Sequence, residues 1–270
     1  MFKSCLIALL ALSTQAFAQS PAFAQSQDEV LDATLLPGWQ MKGGHRMAAL
    51  HLTLAPQWKT YWRAPGAAGL PPQFNWTGSQ NLRAVALHWP GPEVFVLNGL
   101  QSIGYHDQLV LPLEITAIDP AQPVTLRLRM DLGICKDICL PATLTLSAIL
   151  EGPGEADPLI TAALQAAPLS GAEAGLAAMA CDVQPIADGL RIAARITLPR
   201  QGNPETVVFE TADTSVWVDA ATSHRDGTVL SAATDLVAAQ GLPFALDRSG
   251  VTVTVIGQGR AVQIKGCPAP

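Results

Sequence analysis

Two cysteines four residues apart, Cys135 and Cys139, are the residues whose type and spacing point most directly to chemistry. On an extended strand they would lie about 13 Å apart, at about 3.3 Å of rise per residue. A disulfide needs Cα atoms about 4.4–6.8 Å apart, so the link of residues 136–138 must fold back before the sulfurs can join. A tight ring of this kind favours thiol–disulfide exchange. In that reaction a thiolate attacks a disulfide sulfur and a second thiol resolves the mixed disulfide.

The first residues of the chain indicate the cellular compartment, and the compartment determines how the cysteines are interpreted. Met1–Lys3 is a short basic start, Cys5–Leu12 is an apolar run, and the cleavage sites Ala16-Phe-Ala18 and Ala22-Phe-Ala24 follow. This order predicts a secretory signal peptide over residues 1–24, which would remove Cys5. No stretch reaches the roughly 18 apolar residues that a membrane-spanning helix needs. We therefore expect a periplasmic protein with no transmembrane segment in the mature chain.

Four cysteines would then remain, and four cysteines allow three pairings. Proximity favours a bridge between Cys135 and Cys139, which leaves Cys181 to pair with Cys267. Cys181 immediately precedes the first strand predicted for the second half of the chain, and Cys267 ends the last one. Because the first and last strands of a sandwich can lie close together, we expect this second bridge to be a permanent structural disulfide.

Composition excludes several classes of function. The length of 270 residues fits one large or two ordinary domains. The hydrophobic fraction of 49% is enough to form their cores, and the charged fraction of 14% is low. The net charge of −6 and its scattered distribution give no basic patch for nucleic acid and no acidic tail. No serine-hydrolase motif, phosphate loop or zinc-protease motif is present. The sequence therefore predicts no nucleic acid partner, no cofactor and no metal.

Short alternating apolar runs, cut by Pro and Gly, predict strands in both halves of the chain. The runs are Met47–Leu54, Val94–Val96, Leu109–Ile115, Val124–Met130, Thr143–Leu150, Leu190–Leu198, Val207–Phe209, Val216–Val218, Val251–Ile256 and Ala261–Lys265. Many short strands with frequent turn residues are typical of antiparallel sandwiches.

The segment from Glu151 to Ala180 is rich in Ala and has a helical pattern. Asp157 followed by Pro158 marks a helix start, and Pro168 stops the apolar repeat. Ser170 with Glu173 predicts the cap of a second short helix. We therefore predict an all-β chain of two antiparallel β-sandwich domains, residues 28–150 and 178–270, joined by a partly helical linker at 151–177.

Several separated motifs occur in one order and together identify a family. They are Trp58-Lys-Thr-Tyr-Trp-Arg-Ala-Pro-Gly66, Gly69-Leu-Pro-Pro72, Asn75-Trp76, Gly104-Tyr105, Leu109-Val-Leu-Pro112 and Cys135-Lys-Asp-Ile-Cys-Leu-Pro141. With these motifs, residues 30–150 resemble the N-terminal periplasmic domain of the thiol:disulfide interchange protein DsbD. The resemblance is strongest to the branch found in the copper-sensitivity suppressor protein ScsB.

This resemblance implies an immunoglobulin-like sandwich whose cysteine pair relays electrons, as one component of a protein-disulfide reductase. The source would be a membrane-embedded donor of the DsbD/CcdA type, and the acceptor a periplasmic thioredoxin-like protein. It also implies that Cys139 is the first nucleophile and Cys135 the resolving thiol. Family members carry the membrane donor and a thioredoxin domain in the same chain, so here we expect the donor to be a separate protein.

Other residues near these motifs have two interpretations each. Aromatic side chains would either shield the cysteine pair or pack in the sandwich core: Tyr61, Trp62, Phe95 and Tyr105. Lys136 favours a thiolate beside it, whereas Asp137 opposes one.

Two alternative functions stay open at this stage. The Cys-x3-Cys spacing with His106 and Met130 suits Cu(I), which predicts a periplasmic copper-binding or copper-tolerance protein. Copper chaperones with such a motif have a thioredoxin fold, however, and Thr143–Leu150 has the pattern of a strand rather than a helix. The other alternative is a non-redox module that binds proteins through its sandwich surfaces.

Overall fold

The computed structural model describes residues 26–97, 99–238 and 244–270, so the predicted signal peptide lies outside the described residues. Two β-sandwiches follow one another along the chain, which confirms the predicted fold class. Within the described ranges, no helix has the length and apolar character that crossing a bilayer requires.

In the described part of its chain, the first sandwich contains a short helix and ten strands. They are α1 (Gln27–Val30), β1 (Leu31–Gln40), β2 (His45–Leu54), β3 (Lys59–Tyr61), β4 (Gln73–Asn75), β5 (Leu82–Leu87), β6 (Glu93–Leu97), β7 (Leu100–His106), β8 (Gln108–Ala117), β9 (Val124–Cys135) and β10 (Cys139–Leu150). One sheet has the order β1-β2-β8-β5, and the other has the order β10-β9-β3-β7-β6, with β4 paired to β9.

The predicted alternation explains how these two sheets form a core. In β9 every second residue is buried, including Leu126, Leu128 and Met130, each at most 1% exposed. In the facing sheet Leu50 and Leu111 are fully buried. Because successive strand residues point to opposite faces, one apolar set of each strand is removed from water while the other faces outward.

The linker helix α2 (Pro158–Gln165) begins where the sequence predicts it. The carboxylate of Asp157 accepts hydrogen bonds from the backbone N–H groups of Leu159 and Ile160, at 2.7 and 3.2 Å. Ile160 and Ala163 pack on the outer face of the first sheet. The second predicted helix is wrong: Ser170 and Glu173 do bond to each other, but residues 171–175 form a turn.

Within residues 169–238 and 244–270, the second sandwich contains nine strands. They are β11 (Leu169–Ser170), β12 (Ala178–Ile186), β13 (Gly189–Thr197), β14 (Thr206–Glu210), β15 (Val216–Val218), β16 (Thr222–Asp226), β17 (Val229–Ala238), β18 (Thr252–Ile256) and β19 (Ala261–Lys265). One sheet has the order β11-β19-β18-β14 and the other β12-β13-β17-β15, with β16 paired to β17. The short pair β11–β19 is parallel, whereas the other described pairs are antiparallel.

A disulfide joins the two sheets of this second sandwich. Cys181 lies within β12, not before the first strand as the sequence predicts, and Cys267 follows β19. Their Cα atoms are 5.4 Å apart and both residues are at most 1% exposed. The side chain of Arg248 donates to the carbonyl oxygens of both cysteines, at 2.8 and 3.3 Å. The bridge is therefore enclosed by the second core.

Strand β14 connects the two sandwiches. Val207 and Phe209 are buried in the second core, so the alternate residues Thr206, Val208 and Glu210 face the other way. Val208 packs against the core of the first sandwich. The first domain thus rests on one face of a strand that belongs to the second.

We expect replacement of both Cys181 and Cys267 by Ala to lower the free energy of unfolding by about 2–5 kcal/mol. The disulfide joins residues 86 positions apart, and without it the unfolded chain is no longer constrained by this loop. Urea unfolding measures the change. Exchange at Cys135 and Cys139 should be retained in the same variant. Mass mapping that joined Cys181 to either of those cysteines would contradict this assignment.

A buried ion pair in the second domain gives a pH-dependent prediction. Arg225 and Glu205 are 7% and 3% exposed, and the guanidinium donates to both carboxylate oxygens, at 2.6 and 2.8 Å. Burial alone would raise the pKa of Glu205. The hydrogen bonds from Arg225 and from the backbone N–H of Gln201, together with the nearby positive charge, outweigh burial and hold that pKa below its usual value.

We expect Glu205→Gln to cost about 3–5 kcal/mol of unfolding free energy at neutral pH, because Arg225 is left buried without its counter-charge. Because the pKa of Glu205 is lower in the folded than in the unfolded protein, its ionised form stabilises the fold at pH values above the unfolded-state pKa. This stabilisation is lost as the pH falls through the folded-state pKa. The wild-type advantage should therefore be complete above about pH 5 and shrink below about pH 4. Asp235→Asn, which removes the bidentate partner of Arg191 in a solvent-screened pair, is the matched control and should lower the free energy of unfolding far less. An advantage that persisted unchanged into strong acid would contradict the prediction.

Candidate functional site

The two cysteines of the predicted site face each other across the β9–β10 hairpin. Cys135 ends β9, Cys139 begins β10, and they are opposite one another in the antiparallel register. The link folds back as predicted, with the backbone N–H of Lys136 donating to the carbonyl oxygen of Ile138 at 3.1 Å. The Cα atoms are 4.1 Å apart and the sulfurs form a disulfide.

Strand β3 lies beside β9 and fixes the other side of the site. Lys59 is paired with Cys135, and Thr60 with Ile134. The hydroxyl of Thr60, which is 1% exposed, donates to the carbonyl oxygen of Gly133 at 3.0 Å. Because side chains alternate along a strand, Ile134 enters the core while Cys135 projects from the outer face.

Tyr61 is the side chain in direct contact with the disulfide. Its hydroxyl oxygen lies 2.8 Å from Sγ of Cys135 and 3.4 Å from Sγ of Cys139. Tyr61 is 3% exposed, and burial raises the pKa of its hydroxyl above the usual value. The group therefore keeps its proton at neutral pH and can donate a hydrogen bond to a sulfur that carries negative charge.

The ring of Tyr61 fits against the sheet because Gly133 has no side chain. A Cβ atom at Gly133 would lie 2.9 Å from Cε2 of Tyr61 and 3.2 Å from Cβ of Leu70. Gly69 closes the opposite side, where a Cβ atom would lie 2.9 Å from Cδ1 of Tyr61. Two glycines thus make the space in which the tyrosine reaches the sulfurs.

Residues 63–70, here called the cover segment, pass over Tyr61 and enclose the site from outside. The tyrosine hydroxyl lies 3.4 Å from the carbonyl oxygen of Ala68. The carbonyl oxygen of Pro65 accepts a hydrogen bond from the backbone N–H of Ile103 in β7, at 2.9 Å. The segment is therefore attached to the sheet that carries Cys135.

The two cysteines differ in their access to solvent. Cys135 is 1% exposed, whereas Cys139 is exposed at the start of β10. Two apolar side chains of this region are exposed, Ile138 at 56% in the link between the cysteines and Leu70 at 51% at the end of the cover segment, beside Gly133. Cys139 is therefore the half of the disulfide that a partner reaches more readily, and the exposed apolar side chain of Ile138 precedes it in the chain.

Two of the predicted shielding residues lie in the core instead. Tyr105 pairs with Thr60 and points inward, where its ring stacks on Trp89 and its hydroxyl donates to the carbonyl oxygen of Pro90 at 2.8 Å. Trp62 is fully buried in the same core. Alternation explains the difference, since Tyr61 lies between two inward-pointing positions.

The remaining predicted residues lie near the site but in different surroundings. Phe95 stands on β6, with the ammonium of Lys59 4.9 Å above its ring and His106 at its edge. Lys136 is half-buried in the link between the cysteines. Phe95 thus shields Lys59 rather than the disulfide.

The residues proposed for copper binding are not brought together. Met130 is 1% exposed and points into the core, on the face opposite Cys135. Nδ1 of His106 is 2.9 Å from a carboxylate oxygen of Glu93. Among the residues described, no three His, Cys, Asp or Glu side chains form a group that could hold a metal ion.

Sequence reasoning missed Gly133 and the cover segment as parts of the site. The signal lay in the motif Gly69-Leu-Pro-Pro72 and in the Gly two positions before Cys135, which the strand period places on the cysteine's own face. It also missed Lys59, whose pKa is lowered by burial and whose ammonium donates to the hydroxyl of Ser102 at 3.2 Å.

Comparison with solved structures gives a strong overall match. The crystal structure of the N-terminal periplasmic domain of ScsB from Proteus mirabilis superposes with a TM-score of 0.64 at 22% identity, covering 88% of this chain and 92% of that one. At that identity the likeness shows a shared fold. A marsupial T cell receptor aligns over 87% of this chain and 94% of that one at 10% identity, but its TM-score of 0.20 is too low to indicate a shared fold.

A search of curated proteins found no match. The family description is more specific, because residues 16–151 match "Thiol:disulfide interchange protein DsbD, N-terminal". This match spans just over half of the 270 residues and includes both Cys135 and Cys139. The chain therefore belongs to the family of DsbD N-terminal domains, the thiol–disulfide interchange modules.

Proposed function

We propose that the protein is a periplasmic electron-relay module whose Cys135–Cys139 pair exchanges disulfides with separate partner proteins. One observation carries the proposal: the two cysteines of one bridge differ in exposure, with Cys139 an exposed residue and Cys135 buried against the hydroxyl of Tyr61. A static bridge has no need of this asymmetry. A five-residue ring also constrains the unfolded chain little, which makes pure stabilisation a weak reason for the bond.

In the reductive half of the relay, a thiolate of the donor attacks Sγ of Cys139. The Cys135–Cys139 bond breaks, Cys139 becomes joined to the donor, and Cys135 leaves as a thiolate beside Tyr61. The donor's second thiolate then attacks its own bridging sulfur, which releases Cys139 and leaves a disulfide in the donor. Two electrons have moved to this protein, and two protons complete its dithiol form.

In the oxidative half, the thiolate of Cys139 attacks a disulfide of the acceptor and forms a mixed disulfide. Cys135 then attacks Sγ of Cys139, the original bridge is restored, and the acceptor leaves as a dithiol. Both halves use Cys139 as the sulfur that meets partners and Cys135 as the one that resolves. This division agrees with the roles that the family resemblance assigns.

The partners we propose follow from the family. A membrane-embedded reductase of the DsbD/CcdA type would supply electrons, and a thioredoxin-like protein would receive them. The exposed apolar side chains of Ile138, beside Cys139, and of Leu70, at the end of the cover segment, support contact with a protein surface rather than with a small polar thiol. We propose that residues 28–150 carry the exchange chemistry, and that residues 178–270 form a second, supporting domain.

We expect Cys135→Ser to trap a mixed disulfide between Cys139 and a thioredoxin-like protein, because the resolving thiol is absent. Non-reducing electrophoresis followed by mass spectrometry would identify the linked peptides. Cys139→Ser is the matched variant and should trap far less, since its remaining thiol is buried. A bridge that resists reduction until the protein unfolds would contradict the proposed function.

We expect Tyr61→Phe to raise the pKa of the Cys135 thiol in the reduced protein by about one to two pH units, because a hydrogen bond to the thiolate is lost. Thiolate absorbance against pH measures the change, and slower reduction of the bridge by a protein dithiol should accompany it. Tyr105→Phe is the matched control, since it removes the chain's other tyrosine hydroxyl from the opposite face. Equal thiol pKa values in the two variants would contradict the role of Tyr61.

A further inference from the structure

The start of the cover segment is held by the second domain. The guanidinium of Arg63 donates from Nε and Nη2 to the two carboxylate oxygens of Glu210, at 2.7 and 2.9 Å. The side chains are 27% and 21% exposed, so solvent screens this pair less than a surface pair. Arg63 also lies 4.4 Å above the ring of Trp62, which is fixed in the core. The pair therefore has a defined geometry.

A second contact joins β14, the strand that carries Glu210, to the sheet under the cover segment. Glu210 ends β14, and at the other end of that strand the hydroxyl of Thr206 accepts a hydrogen bond from the side chain of Gln101 at 3.2 Å. Gln101 lies in β7, and its carbonyl oxygen would be 3.1 Å from a Cβ atom at Gly66 in the cover segment. The outward face of β14 thus contacts the first residue of the segment and the strand on which the segment rests.

We propose that the second domain holds the cover segment closed over the Cys135–Cys139 bridge through the Arg63–Glu210 pair. Glu210 is then a positioning residue for exchange, since it acts on Tyr61 and the disulfide through the segment and touches neither. This inference rests on the exchange function proposed above. It assigns to the second domain the control of access to the reactive sulfurs.

The physical reason is that opening the segment requires movement at Arg63. A bidentate pair fixes the orientation of a guanidinium as well as its position, and stacking on Trp62 restricts it further. The segment beyond Arg63 has smaller attachments to the sheet, the hydrogen bond from the backbone N–H of Ile103 to Pro65 and the contact of the Ala68 carbonyl oxygen with the hydroxyl of Tyr61. When the pair is broken, these contacts alone oppose opening, so the open fraction rises.

The test measures how fast dithiothreitol reduces the Cys135–Cys139 bridge in the full chain, by alkylation of the released thiols and mass spectrometry. We expect Glu210→Gln to increase the rate constant roughly three- to tenfold, the change that loss of one partly buried pair would produce. Asp235→Asn, which disrupts the bidentate Arg191–Asp235 pair in the other sheet of the second domain, is the matched control and should reduce at the wild-type rate. Glu210→Asp keeps the carboxylate and should return the rate towards wild type.

A purely structural role for the pair predicts a different pattern. In that case Glu210→Gln would lower the urea midpoint but leave the reduction rate equal to that of Asp235→Asn, and the proposal would be overturned. Hydrogen exchange adds a local measurement, since the amide of Ile103 should exchange faster in Glu210→Gln while amides of β13 do not. Should Glu210→Gln not fold, Arg63→Lys, which keeps the charge and loses the fork, decides the question by a raised or a wild-type rate.

The dithiothreitol rate does not involve a protein partner, so the two proposals fail separately. A wild-type protein that exchanges with no thioredoxin-like protein, but whose bridge opens faster to dithiothreitol in Glu210→Gln, would reject the relay and keep the positioning role. A working relay with equal dithiothreitol rates would do the reverse.

Discussion

The site depends on one constraint, the alternation of side chains along β9. Ile134 must enter the core to complete it, and this forces Cys135 onto the outer face. A side chain on the outer face of a sheet would ordinarily be exposed to solvent, yet Cys135 is 1% exposed. The burial has to come from outside the sheet, and Tyr61 with the cover segment provides it. Reactive chemistry and core packing are thus separated by the thickness of a single sheet.

The same alternation on β14 explains why the two sandwiches lie together. A strand with buried Val207 and Phe209 on one side has its opposite side available, and Thr206, Val208 and Glu210 place a hydroxyl, an apolar group and a carboxylate there in turn. Each meets a matching group of the first domain: Gln101, the core and Arg63. A strand that served only its own sandwich would place solvated residues at these positions.

Much of the architecture could be predicted from the sequence, because strands with strong alternation, such as Leu190–Leu198, need one buried face. The predicted runs leave out several other strands, among them β1, β5, β7, β12 and β17. In β12 (Ala178–Ile186), small and polar residues give little contrast between the two faces. The cysteine pairings followed from spacing. The face to which Tyr105 or Trp62 points depends on register with the neighbouring strand, and a single sequence contains no direct record of that register.

The electrostatics of the site follow from where the nearby charges are held. Lys59 is the register neighbour of Cys135, but its ammonium bonds to Ser102 and lies over Phe95, towards the far edge of the sheet. Tyr61, a neutral hydroxyl, is the polar side chain in hydrogen-bond contact with Sγ of Cys135. A neutral donor stabilises a leaving thiolate without adding a second buried charge that would itself need a partner. Since burial raises the pKa of Tyr61, that donor remains protonated through the neutral range, and the buried sulfur can act as leaving group and nucleophile in turn.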